Sequence, residues 1–233
     1  MKRLDTAKIL VTLVLVILPL TPLVPHAGSI SRHEDTKTLR FVSNIDWETY
    51  NADRAIGPAT LLGNAQFVCL NSFYPSTCPP GATLYGWGGT GWAADLSSIP
   101  GANWIWAPNI TGQTTPAEFN QYFFSRSIHL SGPVVSATIS IAVDDFVEVH
   151  VNGRIVGSSG SLTDFSAAAS AQRSLKTFDL APFLAMGVNT ITIRAENGAF
   201  GICCPSNYAG NPAGVVFGGS ISFQTSEPGS GTK

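Results

Sequence analysis

Asp144 and Asp145 are adjacent carboxylates at the end of an alternating apolar run, the obvious place to look for acid–base or metal chemistry. A glycosidase would need two carboxyls facing each other across about 5 to 9 Å. Neighbours on an extended chain point to opposite sides, so these two are not expected to form such a pair alone. No other Asp or Glu is placed by the sequence to complete it. They are read as acceptors of backbone hydrogen bonds where one strand turns into the next, with a calcium-ligand role as the lesser reading. His150 and Glu148 share the polar face of one strand, but two ligands without a third do not make a metal site, and a solvated cross-strand face is expected. No Gly-x-Ser-x-Gly elbow occurs, since the stretch from Gly157 to Ser161 lacks the final glycine. The chain is therefore expected not to be an enzyme, and to need no cofactor beyond that calcium.

The most suggestive stretch for binding is YGWGGTGW from Tyr85, followed by Trp104 and Trp106. Its glycines let the backbone bend closely around a ligand. The face of Trp87 or Trp92 suits the CH groups of a sugar ring, with Tyr85 and Tyr208 adding to the surface. Packing beneath the loop is the competing reading for Trp87 and Trp92. Trp104 and Trp106, two apart in NWIWAP, are expected to share a strand face and fill the core.

These residues must be positioned by short strands. Ala137, Ile139, Ile141 and Val143 alternate with Thr138 and Ser140, and Val147, Val149 and Val151 alternate with Glu148 and His150, the period of two of half-buried strands. Asn152-Gly153 between β-rich runs predicts a type I′ hairpin over Val149 to Val156. Ile191, Ile193 and Ala195 alternate in a further strand, and Gly214 to Phe223 forms the last. One helical turn is expected at Ala181 to Ala185, before Gly187, and hardly a helical period elsewhere. The fold class is all-β.

Residues 1–29 read as a signal peptide: Lys2, Arg3 and Lys8 flank the start of an apolar stretch from Ile9 to Leu20, too short to span a bilayer. A polar leader over 30–39, a β-sandwich over 40–224 and a disordered tail over 225–233 are expected to follow. Cleavage after Ser29 would leave 204 residues and take the formal charge from −2 to −4 with no basic cluster, which argues against nucleic acid as a partner. Secretion implies that the four cysteines are oxidised. Adjacent Cys203 and Cys204 would hold their Cα atoms only about 3.8 Å apart if joined. Crossing pairs with Cys69 and Cys78 are therefore favoured, against the local alternative of Cys69 to Cys78 plus a vicinal ring. Asn109-Ile110-Thr111 has the form of a glycosylation acceptor and is read as a chance match.

NWIWAP from Asn103, SATISIAVDDFVEVHVNGRIVG from Ser136, FDLAPFLAMGVNTITIRAEN from Phe178 and NPAGVVFGGSISF from Asn211 resemble the galactose-binding-like, jelly-roll sandwiches that accompany bacterial glycoside hydrolases, rhamnosidases among them. The resemblance covers roughly Asn103 to Phe223 and implies a non-catalytic domain that binds carbohydrate or a cell-surface glycan. Charged residues make up 12% of the chain, against about 25% in typical globular proteins. That low charge motivates an alternative, a structural or adhesive surface protein that self-associates in an extracellular assembly.

Overall fold

The computed structural model describes residues 34–51, 54–69, 82–84, 92, 99–114, 116–200 and 208–226. In β9, Phe146–Val151, every second residue is buried, and in β12, Gly187–Glu196, Ile191, Ile193 and Ala195 turn inward in the same way. Each fully buried Val or Ile contributes roughly 1.5–3 kcal/mol, which holds both strands in register with one face inward. β12 lies between β9 and β7, Gln121–Leu130, both antiparallel to it.

The sheet containing β12 is completed by β10, Arg154–Gly160, beside β9, and by β2, Glu48–Asn51, and β3, Arg54–Pro58, beyond β7. The facing sheet has β13, Gly214–Ser226, at its centre. One side of β13 pairs with β8, Val134–Asp144, which in turn pairs with β11, Lys176–Asp179. Its other side is divided between β1, Glu34–Val42, and β6, Asn103–Trp106. β4, Thr60–Cys69, and β5, Ala82–Leu84, extend this sheet past β6. The expected all-β sandwich is thus formed from antiparallel sheets, with β4 and β5 the parallel pair among the described strands.

Ser43 closes the gap where β1 gives way to β6. Its backbone N–H donates to the Phe217 carbonyl at 2.8 Å and its carbonyl accepts from Asn103. Its hydroxyl accepts from Phe217 N–H and donates to the Asn103 carbonyl. A buried serine therefore satisfies the backbone groups that a break between two strands would otherwise orphan.

Two expectations are corrected. A nine-residue helix α1, Phe165–Arg173, lies between β10 and β11, where no helix was expected. Asp164 caps it by accepting from Ser166 and Ala167 N–H, and Ala168, Ala169 and Ala171 are buried, so its apolar face is made of alanines too small to give a strong periodic signal. In addition, β1 starts at Glu34 and pairs with β13 as far as Ser226, so residues 34–39 of the expected leader belong to a strand. The expected turn near Ala181 is a 3₁₀ turn over Ala181–Phe183.

The Asn-Gly hairpin forms between β9 and β10, with φ of 53° at Asn152 and 76° at Gly153. Asn152 does more than turn the chain. Its Nδ2 donates to the Phe183 carbonyl at 3.0 Å and to Asn189 Oδ1 at 2.9 Å, and its Oδ1 accepts from Thr190 N–H at 2.9 Å. Asn152→Gly keeps the left-handed backbone but loses these bonds, and should lower unfolding stability by about 1–3 kcal/mol. Asn152→Ala should cost more, because it also places a Cβ at positive φ; urea denaturation of both variants checks the order.

Candidate functional site

Asp144 ends β8 in one sheet and Asp145 is the bend that carries the chain into β9 of the other. The alternation of a continuous strand stops at this bend. The two residues are joined across a cis peptide, and each carboxyl bears on the protonation of the other. Both residues are only 4% exposed.

Four other segments converge on the pair. Trp92 Nε1 donates to Asp144 Oδ2 at 2.7 Å, and Gly198 N–H donates to Asp145 Oδ2 at 2.8 Å. The Asp145 carbonyl accepts from Ser161 N–H, just after β10. Asn211 holds the Gly198 carbonyl through Nδ2 at 3.0 Å. Gly160 has φ of +82°, and a Cβ there would lie 1.8 Å from the Asp145 carbonyl oxygen, so only glycine fits the crossing.

Burial pushes the Asp144 carboxyl well above the usual carboxylate range. The neighbouring Asp145 charge and hydrogen bond add to that rise, and the Trp92 N–H opposes it. Burial also raises Asp145, while hydrogen bonds from Asp144 and Gly198 N–H pull it back. Of the two, Asp144 is therefore the carboxyl that is held more strongly toward its protonated form. Tyr208 is fully buried; burial raises its phenol, the nearby Asp144 adds to this, and its hydroxyl donates to the Ala213 carbonyl.

This geometry leaves no space for a sugar between the two carboxyls, whose function as an acid–base pair would require a gap of about 5 Å or more. Nor does it fit calcium. The nearest groups are N–H donors, which present positive dipole ends suited to a carboxylate and not to a cation. Among the described residues no group of three or more His, Cys, Asp or Glu is placed to hold a metal.

Trp92, read in the sequence either as a stacking face for a sugar or as packing beneath its loop, is 3% exposed and stacks on Trp104 at 4.2 Å. Gly214 lets it approach, since a Cβ there would lie 2.8 Å from the Trp92 ring. Trp92 and Tyr208 thus meet beside Asp144 as packing, and neither offers an open ring face. Trp104 and Trp106 are both buried, but in different surroundings: Trp106 packs against Tyr122 and Phe124. Tyr85, Trp87, Cys78, Cys203 and Cys204 lie outside the described residues, and Cys69 closes β4. Gly198 and Asn211 escaped the sequence reading because their partners lie 53 and 13 residues away.

His150 and Glu148 do meet, at 3.3 Å, and among the described residues they belong to no group of three or more metal-ligand types. Burial pushes Glu148 up, but hydrogen bonds from Arg194 and His150 outweigh it and hold the carboxyl below the usual range.

No family model matches the chain. It is 28% identical over 108 residues to an α-L-rhamnosidase from Streptomyces avermitilis, a stretch covering 46% of this chain and 10% of the relative. The chain thus spans a small part of the length of the relative it matches. The crystal structure of a Streptomyces avermitilis α-L-rhamnosidase complexed with L-rhamnose aligns with TM-score 0.37 and 24% identity over 55% of this chain and 12% of its own. A GH2 β-galacturonidase from Eisenbergiella tayi aligns with TM-score 0.37 and 14% identity over 79% of this chain and 25% of its own. The similarity to rhamnosidases, read from the sequence, recurs in the 108-residue match.

Two outcomes follow. Trp92→Ala removes a buried ring and orphans the Asp144 acceptor, so it should destabilise the fold by about 3–5 kcal/mol, measured as a loss of unfolding free energy; an exposed binding tryptophan would leave stability unchanged. A carboxyl raised in the folded state binds its proton more tightly there, so its contribution is complete below the unfolded value of about 3.9 and is lost as pH rises through the folded value. Wild-type stability should therefore carry a falling component above about pH 4. Asp144→Asn, which retains an acceptor for Trp92 and a donor for Asp145, should flatten it in denaturant titrations across pH.

Proposed function

We propose that this chain is a secreted, non-catalytic β-sandwich that binds carbohydrate. The observation that supports the reading most is the 108-residue similarity to an α-L-rhamnosidase, which spans 10% of that protein and lies in the size range of one accessory module. The sequestered Asp144 and Asp145 pair is consistent with it, because the most prominent carboxylates of the chain serve the fold and not a substrate. In this reading the signal segment is removed, and Tyr85 and Trp87 supply a stacking surface for a sugar ring on the glycine-rich stretch. That stretch leads to Trp92, which is fastened to Asp144, so its C-terminal end is anchored in the interior.

The test is a glycan array followed by calorimetry with the full mature chain. Binding of at least one plant, bacterial or host polysaccharide is expected, with Trp87→Ala weakening it about tenfold, equivalent to about 1.4 kcal/mol. Absence of binding across the array overturns the reading.

A further inference from the structure

The outward face of the sheet containing β12 carries a second set of residues whose chemistry points to a ligand. Register places Tyr50 of β2, Phe123 of β7, Arg194 of β12 and Glu148 of β9 in one row across four adjacent strands. The row beside it holds Glu48, Ser125, Thr192 and His150. Paired residues share a face, and the buried Phe124, Ile193 and Val149 occupy the opposite one. All four residues of the first row are partly exposed. With strands about 4.8 Å apart, each row is about 14 Å wide.

The face is divided by chemistry. On β2 and β7 it is aromatic, with Tyr50 and Phe123 side by side and the Tyr50 hydroxyl donating to Glu48. On β12 and β9 it is a fixed polar field. Arg194 donates through Nη1 to Glu148 at 2.7 Å, through Nη2 to Glu196 at 2.7 Å and through Nε to Gln121 at 3.2 Å. Glu148 also contacts His150 at 3.3 Å, and Ser125 and Thr192 share a hydroxyl bond at 3.0 Å. These bonds use three N–H groups of a guanidinium that carries five. Arg194 is thus held over the sheet with donors left to offer, at no further entropic cost.

We infer that this face is a second glycan surface, separate from the glycine-rich stretch, on which Tyr50 and Phe123 pack against sugar CH faces while Arg194, Glu148 and His150 hydrogen-bond ring hydroxyls. The inference rests on the carbohydrate-binding reading above. The charge pattern selects the ligand class. Glu148 and Glu196 already neutralise the Arg194 guanidinium, and Glu48 adds a further carboxyl on β2 of the same face. A chain of uronates would meet excess negative charge, so the ligand is a neutral glycan.

The test uses the full mature chain, calorimetry and affinity electrophoresis against galactomannan, xyloglucan and mixed-linkage glucan, with polygalacturonate as the anionic comparison. Tyr50→Ala and Phe123→Ala should each weaken neutral-glycan binding at least fivefold, and the double variant should leave only the binding that Trp87→Ala removes. Melting temperatures are read alongside; should Phe123→Ala lower its own, Tyr50→Ala decides. His150→Gln, which keeps one hydrogen-bonding nitrogen, should retain more affinity than His150→Ala. Wild-type binding that survives Tyr50→Ala but disappears in Trp87→Ala overturns this surface and leaves the carbohydrate reading standing. Preference for polygalacturonate overturns the neutral-ligand assignment, and a wild type that binds none of these glycans removes the surface altogether.

Discussion

The Asp144 and Asp145 carboxyls sit where the chain leaves one sheet for the other, and the way they are satisfied governs that whole end of the sandwich. A buried ionised carboxylate without partners would cost several kcal/mol. Here the cost is offset by accepting from Trp92 and Gly198, residues 52 and 53 positions away. Those donors belong to different loops, so one desolvated pair ties together segments that no local propensity would assemble. Asn211 and Tyr208 extend the same cluster toward the start of β13.

That cluster also explains a departure from simple alternation. At the end of β8, Ala142, Val143 and Asp144 are all buried, although successive residues face opposite sides. Trp92 against Gly214 and Ile99 against Gly218 cover what would otherwise be the open face of this sheet. The glycines matter because each covering side chain reaches the strand backbone: a Cβ at Gly218 would lie 2.8 Å from Ile99. One face of one sheet is thereby withdrawn from solvent over part of its length, while the exterior of the other sheet stays open.

The two carboxylate groupings of the protein show how surroundings assign roles. Asp144 is driven toward its neutral form by desolvation, whereas Glu148, partly exposed and beside Arg194, is held as the anion. The first serves packing. The second lies on the surface with its charge available and its geometry fixed by a guanidinium.

Much of the fold was legible in the sequence for a plain reason: alternation of Val and Ile with polar residues has one stable solution when a single face is buried. β9 and β12 follow from it, while the Asn152-Gly153 hairpin and the 3₁₀ turn near Ala181 were legible from turn residues. Helix α1 was missed because an alanine face has little hydrophobic contrast, although Asp164 was a cap signal in plain view. Aromatic residues were legible as types but not as positions. Trp92 belongs to the interior because Asp144 needs a donor and Gly214 leaves it room. Tyr50, Phe123 and Arg194 form a row because β2, β7 and β12 are neighbours in space, although in sequence Phe123 lies 73 positions after Tyr50 and 71 before Arg194. Sequence alone determined which residues alternate and where the chain turns. Only tertiary structure decided which polar groups face each other, since hydrogen bonds across sheets depend on strand order and register, which no local pattern encodes.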